Sequence, residues 1–196
     1  MADCGFMSLL WYFAYGANMS PEVLARRGLA PLHSEAGWVD GYALRFSHRG
    51  LLPTEPAFAN LEPADEGRVH GVLHQIPAAD LVHLDKIEGA EYAHIDVDAV
   101  GQGRGPVPAR AYLDPYPASG LLPSRRYLRC VCDGAAKFGL PAAWQDELAR
   151  HPSRYVPGLS ELTTLCVGVA ERLRRAGLRP ELLRMRALGQ KPRRSR

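Results

Sequence analysis

Cysteine is scarce in this chain, and long apolar runs are absent. The cysteines, Cys4, Cys130, Cys132 and Cys166, have no spacing that suggests a disulfide framework. Cys130-Val131-Cys132 lacks the second pair of ligands that a zinc site needs. Reduced thiols in a cytoplasmic protein are the simplest expectation. The longest apolar run, Phe6 to Tyr15, reaches only about ten residues, too few to span a bilayer, and no basic segment precedes it as in a leader. It reads as a buried strand. Also missing are G-x-S-x-G, G-x-x-x-x-G-K-[ST] and G-x-G-x-x-G, so the signatures of a serine hydrolase elbow, a P-loop and a dinucleotide site are not there. Of the histidines, His70 and His74 share a strand face, but no acidic partner stands at ligand spacing, and no metal is expected.

What is present suits one domain with a substantial core: 196 residues, 46% of them hydrophobic. Sixteen prolines and 19 glycines predict long turns and loops. The net charge of +3 is unevenly spread. Residues 172–196 hold ten of the 24 Lys/Arg and one acid, Glu181, leaving fourteen basic against twenty acidic residues in the body. A basic tail can meet nucleic acid or anionic lipid. A solvated helix with a frayed end is the plainer reading, and neither nucleic acid nor membrane is expected as a partner.

Ser8 to Tyr15 predicts a central strand that ends in a tight turn, Gly16 to Met19. Ser20-Pro21-Glu22 opens a short helix that stops near Gly28: a capping hydroxyl, a proline at the first helical position, an acid at the positive dipole end. Further strands are expected at 38–47, 68–76, 92–100 and 109–113, with a proline-bearing loop over 49–63. Helices are expected at 77–87, with Leu81, Leu84 and Ile87 on one face, then at 124–138, 142–150 and 160–188. Strands early and helices late make an α+β fold, with a mixed or antiparallel sheet that curls into a small barrel. Residues 1–158 are expected to form the catalytic domain, and 159–196 a helical extension with the basic tail.

Two places could do chemistry. A turn feeding a helix start leaves backbone N–H groups without partners, and these can hold a carboxylate or a developing oxyanion. That describes Tyr15-Gly16-Ala17-Asn18-Met19. Glu88 ends a helix, where the dipole disfavours a negative charge and partial burial would suit the carboxyl to proton transfer. Tyr92, Tyr112 and Tyr127 could each offer a hydroxyl to a polar ligand. From the residues alone, a solvated glutamate is the plainer reading of Glu88 and a turn that binds nothing the plainer reading of 15–19, while each tyrosine fits a core aromatic equally well.

Phe13-Ala14-Tyr15-Gly16-Ala17-Asn18-Met19 resembles the F-x-Y-G-S-N-M segment that opens the γ-glutamylcyclotransferase (AIG2-like) superfamily. Gly71-Val72-Leu73 resembles its G-V-(V/L) strand, Asp85-Lys86-Ile87-Glu88-Gly89 its D-x-x-E-G segment, and Arg110-Ala111-Tyr112-Leu113 its later R-x-Y-(L/M) strand. Pro123 to Tyr127, Gly134 to Lys137 and Gly139-Leu140-Pro141 are similar to a helical stretch of the animal-type members. The resemblance runs from about 11 to 150 in the family's order. It implies a small mixed barrel with flanking helices and Glu88 as general acid/base. It also implies a substrate cradle of Tyr15, Gly16, Ala17, Asn18 and Met19, with Tyr92, Tyr112 and Tyr127 lining the cavity. No cofactor and no metal are implied; the partner is a small γ-glutamyl compound, and the protein a monomer or homodimer. Ala17 stands where the family carries serine, so a hydroxyl contact is missing there. The implied reaction releases 5-oxoproline from a γ-glutamyl-linked amine. Alternatives are removal of a γ-glutamyl or related acyl group from a larger metabolite, with loop 49–65 shaping the pocket, and a binding module of the same fold.

Overall fold

The computed structural model describes residues 8–88 and 91–158. The chain divides between Tyr155 and Val156, and the barrel, its helices and the candidate site all belong to the first unit. The helix expected at 160–188 and the basic tail lie outside the described residues.

The chain begins with β1 (Leu9–Ala14), a 3-10 turn (Ala17–Met19) and α1 (Pro21–Arg26). Then come β2 (His33–Leu52), β3 (Glu55–Pro77), α2 (Ala78–Glu88), β4 (Ala93–Gly101), β5 (Pro106–Leu113), α3 (Arg125–Lys137) and α4 (Ala142–Arg150). The strands close into a barrel in the order β1-β3-β2-β4-β5. β1 runs antiparallel to β3, with Tyr12 opposite His74, and closes the ring through a parallel pairing with β5, Trp11 opposite Ala109. The barrel is therefore mixed, one of the two arrangements that the sequence pattern leaves open and the one the family resemblance implies. Phe13, Val39, Leu61, Val69, Val72, Leu73 and Ala111 are buried in the core. Leu84 pins α2 to it, with Leu81 and Ile87 packed alongside.

The expected loop at 49–63 is a correction. β2 and β3 form one long hairpin that turns at Pro53-Thr54, and strand covers nearly all of that stretch. Strand interiors reject proline because the ring removes a ladder donor, but edges and bulges accept it. The register shifts between Arg49 and Leu52, beside Pro56, and between Asp40 and Tyr42, whose partner is Pro63. Beyond Gly37–Val39, which pairs with β4, the outer half of β2 pairs with β3 alone. A loop that would shape a pocket for a larger substrate is thus replaced by a bent ribbon.

That ribbon's tip anchors α3. Glu55, buried near the turn, accepts from Ser124 Oγ at 2.6 Å and from Arg126 Nε at 2.7 Å. Ser124 also caps α3, its Oγ accepting from the Tyr127 N–H at 3.0 Å. Gly134 lets α3 approach the 3-10 turn closely: a Cβ there would lie 2.9 Å from Cβ of Met19.

Candidate active site

α2 leaves β3 without a linker, so the barrel wall decides where the helix ends and Glu88 stands. His83 donates from Nε2 to the carbonyl oxygen of Arg27 at 2.6 Å, docking α2 on the end of α1. The Glu88 side chain is 16% exposed. Its Oε1 accepts from Asn18 Nδ2 at 2.8 Å and from Arg27 Nη1 at 2.6 Å. Asn18 is buried in the turn after β1; its Nδ2 also donates to Tyr12 Oη at 2.8 Å, and its Oδ1 accepts from Arg27 Nη1 at 2.8 Å. These partners orient the amide, because a flipped Asn18 would turn its NH₂ on the guanidinium.

His74 supports the turn from below. Its Nε2 lies 3.0 Å from the Asn18 carbonyl and its Nδ1 2.7 Å from Ser34 Oγ. A carbonyl only accepts, so Nε2 carries the proton and the Ser34 hydroxyl donates to Nδ1. Burial pushes the His74 pKa down to about 4, which keeps the ring neutral.

Around the carboxylate stand Tyr12, Tyr15, Tyr92, Tyr112 and Tyr127. Burial is the main cause raising each phenol's pKa, to about 12 for Tyr127, and the charge of Glu88 adds to the rise in all of them. That common influence is the electrostatic mark of a carboxylate lying among them. Tyr15 donates to the Tyr112 carbonyl at 2.5 Å, and Tyr92 to the Ala59 carbonyl at 3.1 Å. Tyr127 Oη accepts from the Ala59 N–H at 3.2 Å. The Tyr92 ring packs on His48, 4.2 Å between centroids, and His48 is held in turn by Asp114. Tyr112 gives its hydroxyl to Asp85 Oδ1 at 2.7 Å, one helical turn before Glu88. Burial pulls the Asp85 carboxyl up, but Tyr112, His94 and Arg110 outweigh it and hold the pKa low.

The turn is more occupied than a bare nest. The Met19 N–H bonds to the Gly16 carbonyl at 3.0 Å and the Ser20 N–H to the Ala17 carbonyl at 3.1 Å, while the Ala17 backbone hydrogen-bonds the Tyr127 hydroxyl. Gly16 and Ala17 are its partly open residues. A Cβ on Gly16 would fall 2.8 Å from Tyr127 Oη, so only glycine lets the backbone sit under that hydroxyl. Met19 is wholly buried beneath Gly134 and faces the core.

Sequence reasoning missed Tyr12, Arg27 and His74. Tyr12 lies in an apolar run that reads as core, and Arg27 follows Arg26, with nothing in the pattern to say which one turns inward. A surface cleft of about 350 Å³, bordered by Arg45, Phe46, Glu62, Leu121 and His151, shares no residue with the Glu88 cluster. Among the described residues, no group of three or more His, Cys, Asp or Glu could hold a metal ion. None of their helices is long and apolar enough to cross a membrane.

Comparison with known proteins bears on the fold and the family. The model of the AIG2-like family matches residues 68–148, a stretch that includes Glu88. The chain is 28% identical to the γ-glutamylcyclotransferase of Bos taurus over 160 residues, 76% of this chain and 83% of that one. It is 27% identical to the γ-glutamyl cyclotransferase gliK of Aspergillus fumigatus over 175 residues, 76% of this chain and 64% of that one. A solved γ-glutamyl cyclotransferase superposes with a TM-score of 0.68 at 23% identity, covering 77% of this chain and 92% of the other. Family model and relatives alike liken the chain to the γ-glutamylcyclotransferase superfamily. The barrel and flanking helices that the superfamily resemblance implies are those observed. At that identity the structural likeness speaks for the fold alone, so what the superfamily site does in this chain rests on its own residues.

Proposed function

We propose that this protein is a cyclotransferase that releases 5-oxoproline and a free amine from a γ-glutamyl-linked amine or amino acid, with Glu88 as its acid/base. One observation carries the reading: a largely buried carboxylate, bonded to Asn18 of the turn after β1, lies among tyrosine hydroxyls. The names of the relatives support the same chemistry.

The nucleophile comes with the substrate. Its α-ammonium must lose a proton before it can attack, and Glu88 takes that proton. The amine nitrogen then bonds to the γ-carbonyl carbon, closing a five-membered ring. The bond from that carbon to the leaving nitrogen breaks. Of the three ammonium hydrogens, one stays on the ring nitrogen and two end on the leaving amine, shuttled by Glu88. The reaction is already intramolecular, so holding the glutamyl chain in its ring-closing conformer supplies orientation, several kcal/mol at roughly the lower end of proximity effects. Tyr15 and Tyr127 hold the rim around Gly16 and Ala17, where the carbonyl oxygen gathers charge. Tyr92 and Tyr112 complete the wall. No step calls on a metal or a cofactor. A soluble cytoplasmic enzyme acting on small molecules is the corresponding setting. The test is a panel of γ-glutamyl amino acids, peptides and amines, with 5-oxoproline read by mass spectrometry. Release from at least one of them, abolished in Glu88→Gln, is expected; no release from any of them removes the reading.

A further inference from the structure

Tyr92 follows Glu88 by four residues, and two strands hold it in place. Its hydroxyl donates to the Ala59 carbonyl on β3, and its ring lies on the imidazole of His48 on β2, 4.2 Å between centroids and 35° from parallel. The hydroxyl proton is thus committed to the barrel, and Tyr92 serves the cavity as a ring rather than as a donor.

His48 stands beside a bulge. Arg45 pairs with Asn60 and His48 with Phe58, three steps on β2 against two on β3. An extra residue of this kind re-aims the side chains next to it. The imidazole is buried, and its Nδ1 lies 2.8 Å from Asp114 Oδ2. The other Asp114 oxygen accepts from the Tyr116 N–H at 2.8 Å. A carboxylate accepts, so Nδ1 carries the proton. Nε2 stands 3.7 Å from Glu91 Oε2, too far for a hydrogen bond. Asp114 is fixed in turn: its N–H donates to Asn60 Oδ1 at 2.8 Å, and its carbonyl accepts from Asn60 Nδ2 at 3.1 Å. An imidazole held by an anchored carboxylate is a firm platform for the ring stacked on it.

Ala59 carries the placement onward. Its carbonyl takes the Tyr92 hydroxyl, and its N–H donates to Tyr127 Oη at 3.2 Å. A Cβ on Gly16 would meet both neighbours, Tyr127 Oη at 2.8 Å and Ala59 Cβ at 3.3 Å. One chain of contacts therefore runs from the His48–Asp114 pair through Tyr92, Ala59 and Tyr127 to the turn after β1.

We propose that His48, oriented by Asp114, is a positioning residue of this site: its imidazole holds Tyr92 on Ala59 and so sets Tyr127 against Gly16. The inference rests on the cyclotransferase reading, in which the carbonyl oxygen gathers charge at that rim. A misplaced rim is felt as the charge forms, so kcat rather than KM carries the effect.

The test uses His48→Asn, whose Nδ2 replaces Nδ1 as donor to Asp114 but brings no ring. Its kcat for 5-oxoproline release should fall roughly tenfold or more, with KM within about twofold of the wild type. In a Tyr92→Ala background His48→Asn should cause no further fall, because the residue it acts through is gone. A second readout needs no turnover. In protein carrying meta-fluorotyrosine, the Tyr92 fluorine signal, assigned by its loss in Tyr92→Phe, should lie away from the shift of a solvated tyrosine and move toward it in His48→Asn. A solvated shift in the wild type overturns the inference without any variant having to fold. So does an unmoved signal or an unchanged kcat in folded His48→Asn, or a full second loss in the Tyr92→Ala background. A moved signal in a protein that releases no 5-oxoproline from any γ-glutamyl compound would sink the cyclotransferase reading and leave His48 as the support of Tyr92. Release with an unmoved signal would do the reverse.

Discussion

Arg27 Nη1 lies 2.6 Å from Glu88 Oε1 and 2.8 Å from Asn18 Oδ1, so one guanidinium nitrogen ties the end of α1 to both the turn after β1 and the end of α2. Asn18 and Arg27 lie nine residues apart, linked through α1, whereas Glu88 stands 61 residues beyond Arg27 and meets them because the barrel brings the end of α2 to theirs.

Glu88→Gln keeps an oxygen that accepts from Asn18 and Arg27, so the variant should fold. It should lose roughly 100-fold or more in kcat, the range for deleting an acid/base. Steady-state 5-oxoproline release beside a thermal melt checks it; near wild-type turnover by the folded variant would shift the role elsewhere.

Asn18→Ala leaves the Tyr12 hydroxyl and Glu88 short of a donor and Arg27 short of an acceptor. A loss of about 1–3 kcal/mol in stability is expected, with a fall in kcat as Glu88 loses its orientation. Urea unfolding measures the first. An unchanged midpoint would mean that the Asn18 amide is not a structural tie.

Gly16→Ala should cost about 1–3 kcal/mol and most of the activity, because the added Cβ meets Tyr127 Oη at 2.8 Å. Tyr127→Phe removes the obstructing oxygen. Gly16→Ala combined with Tyr127→Phe should therefore be more stable than the sum of the single effects predicts. Strict additivity in the four-member cycle would rule out the steric account.

His74 carries a pH signature. Its pKa is about 4 in the folded protein, below the ordinary histidine value of about 6.5, so the unfolded chain binds more protons between those limits. Its neutral form supports the fold above about pH 6.5, and that support fades as pH falls toward 4, by roughly 3 kcal/mol in all. Melting temperature followed from pH 7 to 4.5 should drop less in His74→Gln than in the wild type. Glu22, whose pKa the Lys137 ammonium and Ser20 hydroxyl hold down at about 2, contributes its own slope only at lower pH.

Much of this molecule is legible locally. The strand at Leu9–Ala14, the turn with Ser20 and Pro21 behind it, α2 with Leu84 on its inner face, and the capped α3 follow from periodicity and cap chemistry, which act within a few residues. The stretch 49–63 is not legible, because the prolines that argue for a loop are tolerated only where a strand has a free edge or a bulge, and that depends on which strand lies alongside.

The same division holds for the site. The order and identity of residues determine that a glutamate ends one helix and an asparagine sits in one turn, since these are properties of short segments. Only the closed barrel decides that they meet, that Arg27 rather than Arg26 joins them, and that the Tyr12 hydroxyl accepts from Asn18 instead of vanishing into the core. Contacts across such separations are set by strand register and helix docking, and neither is written in the neighbours of any one residue.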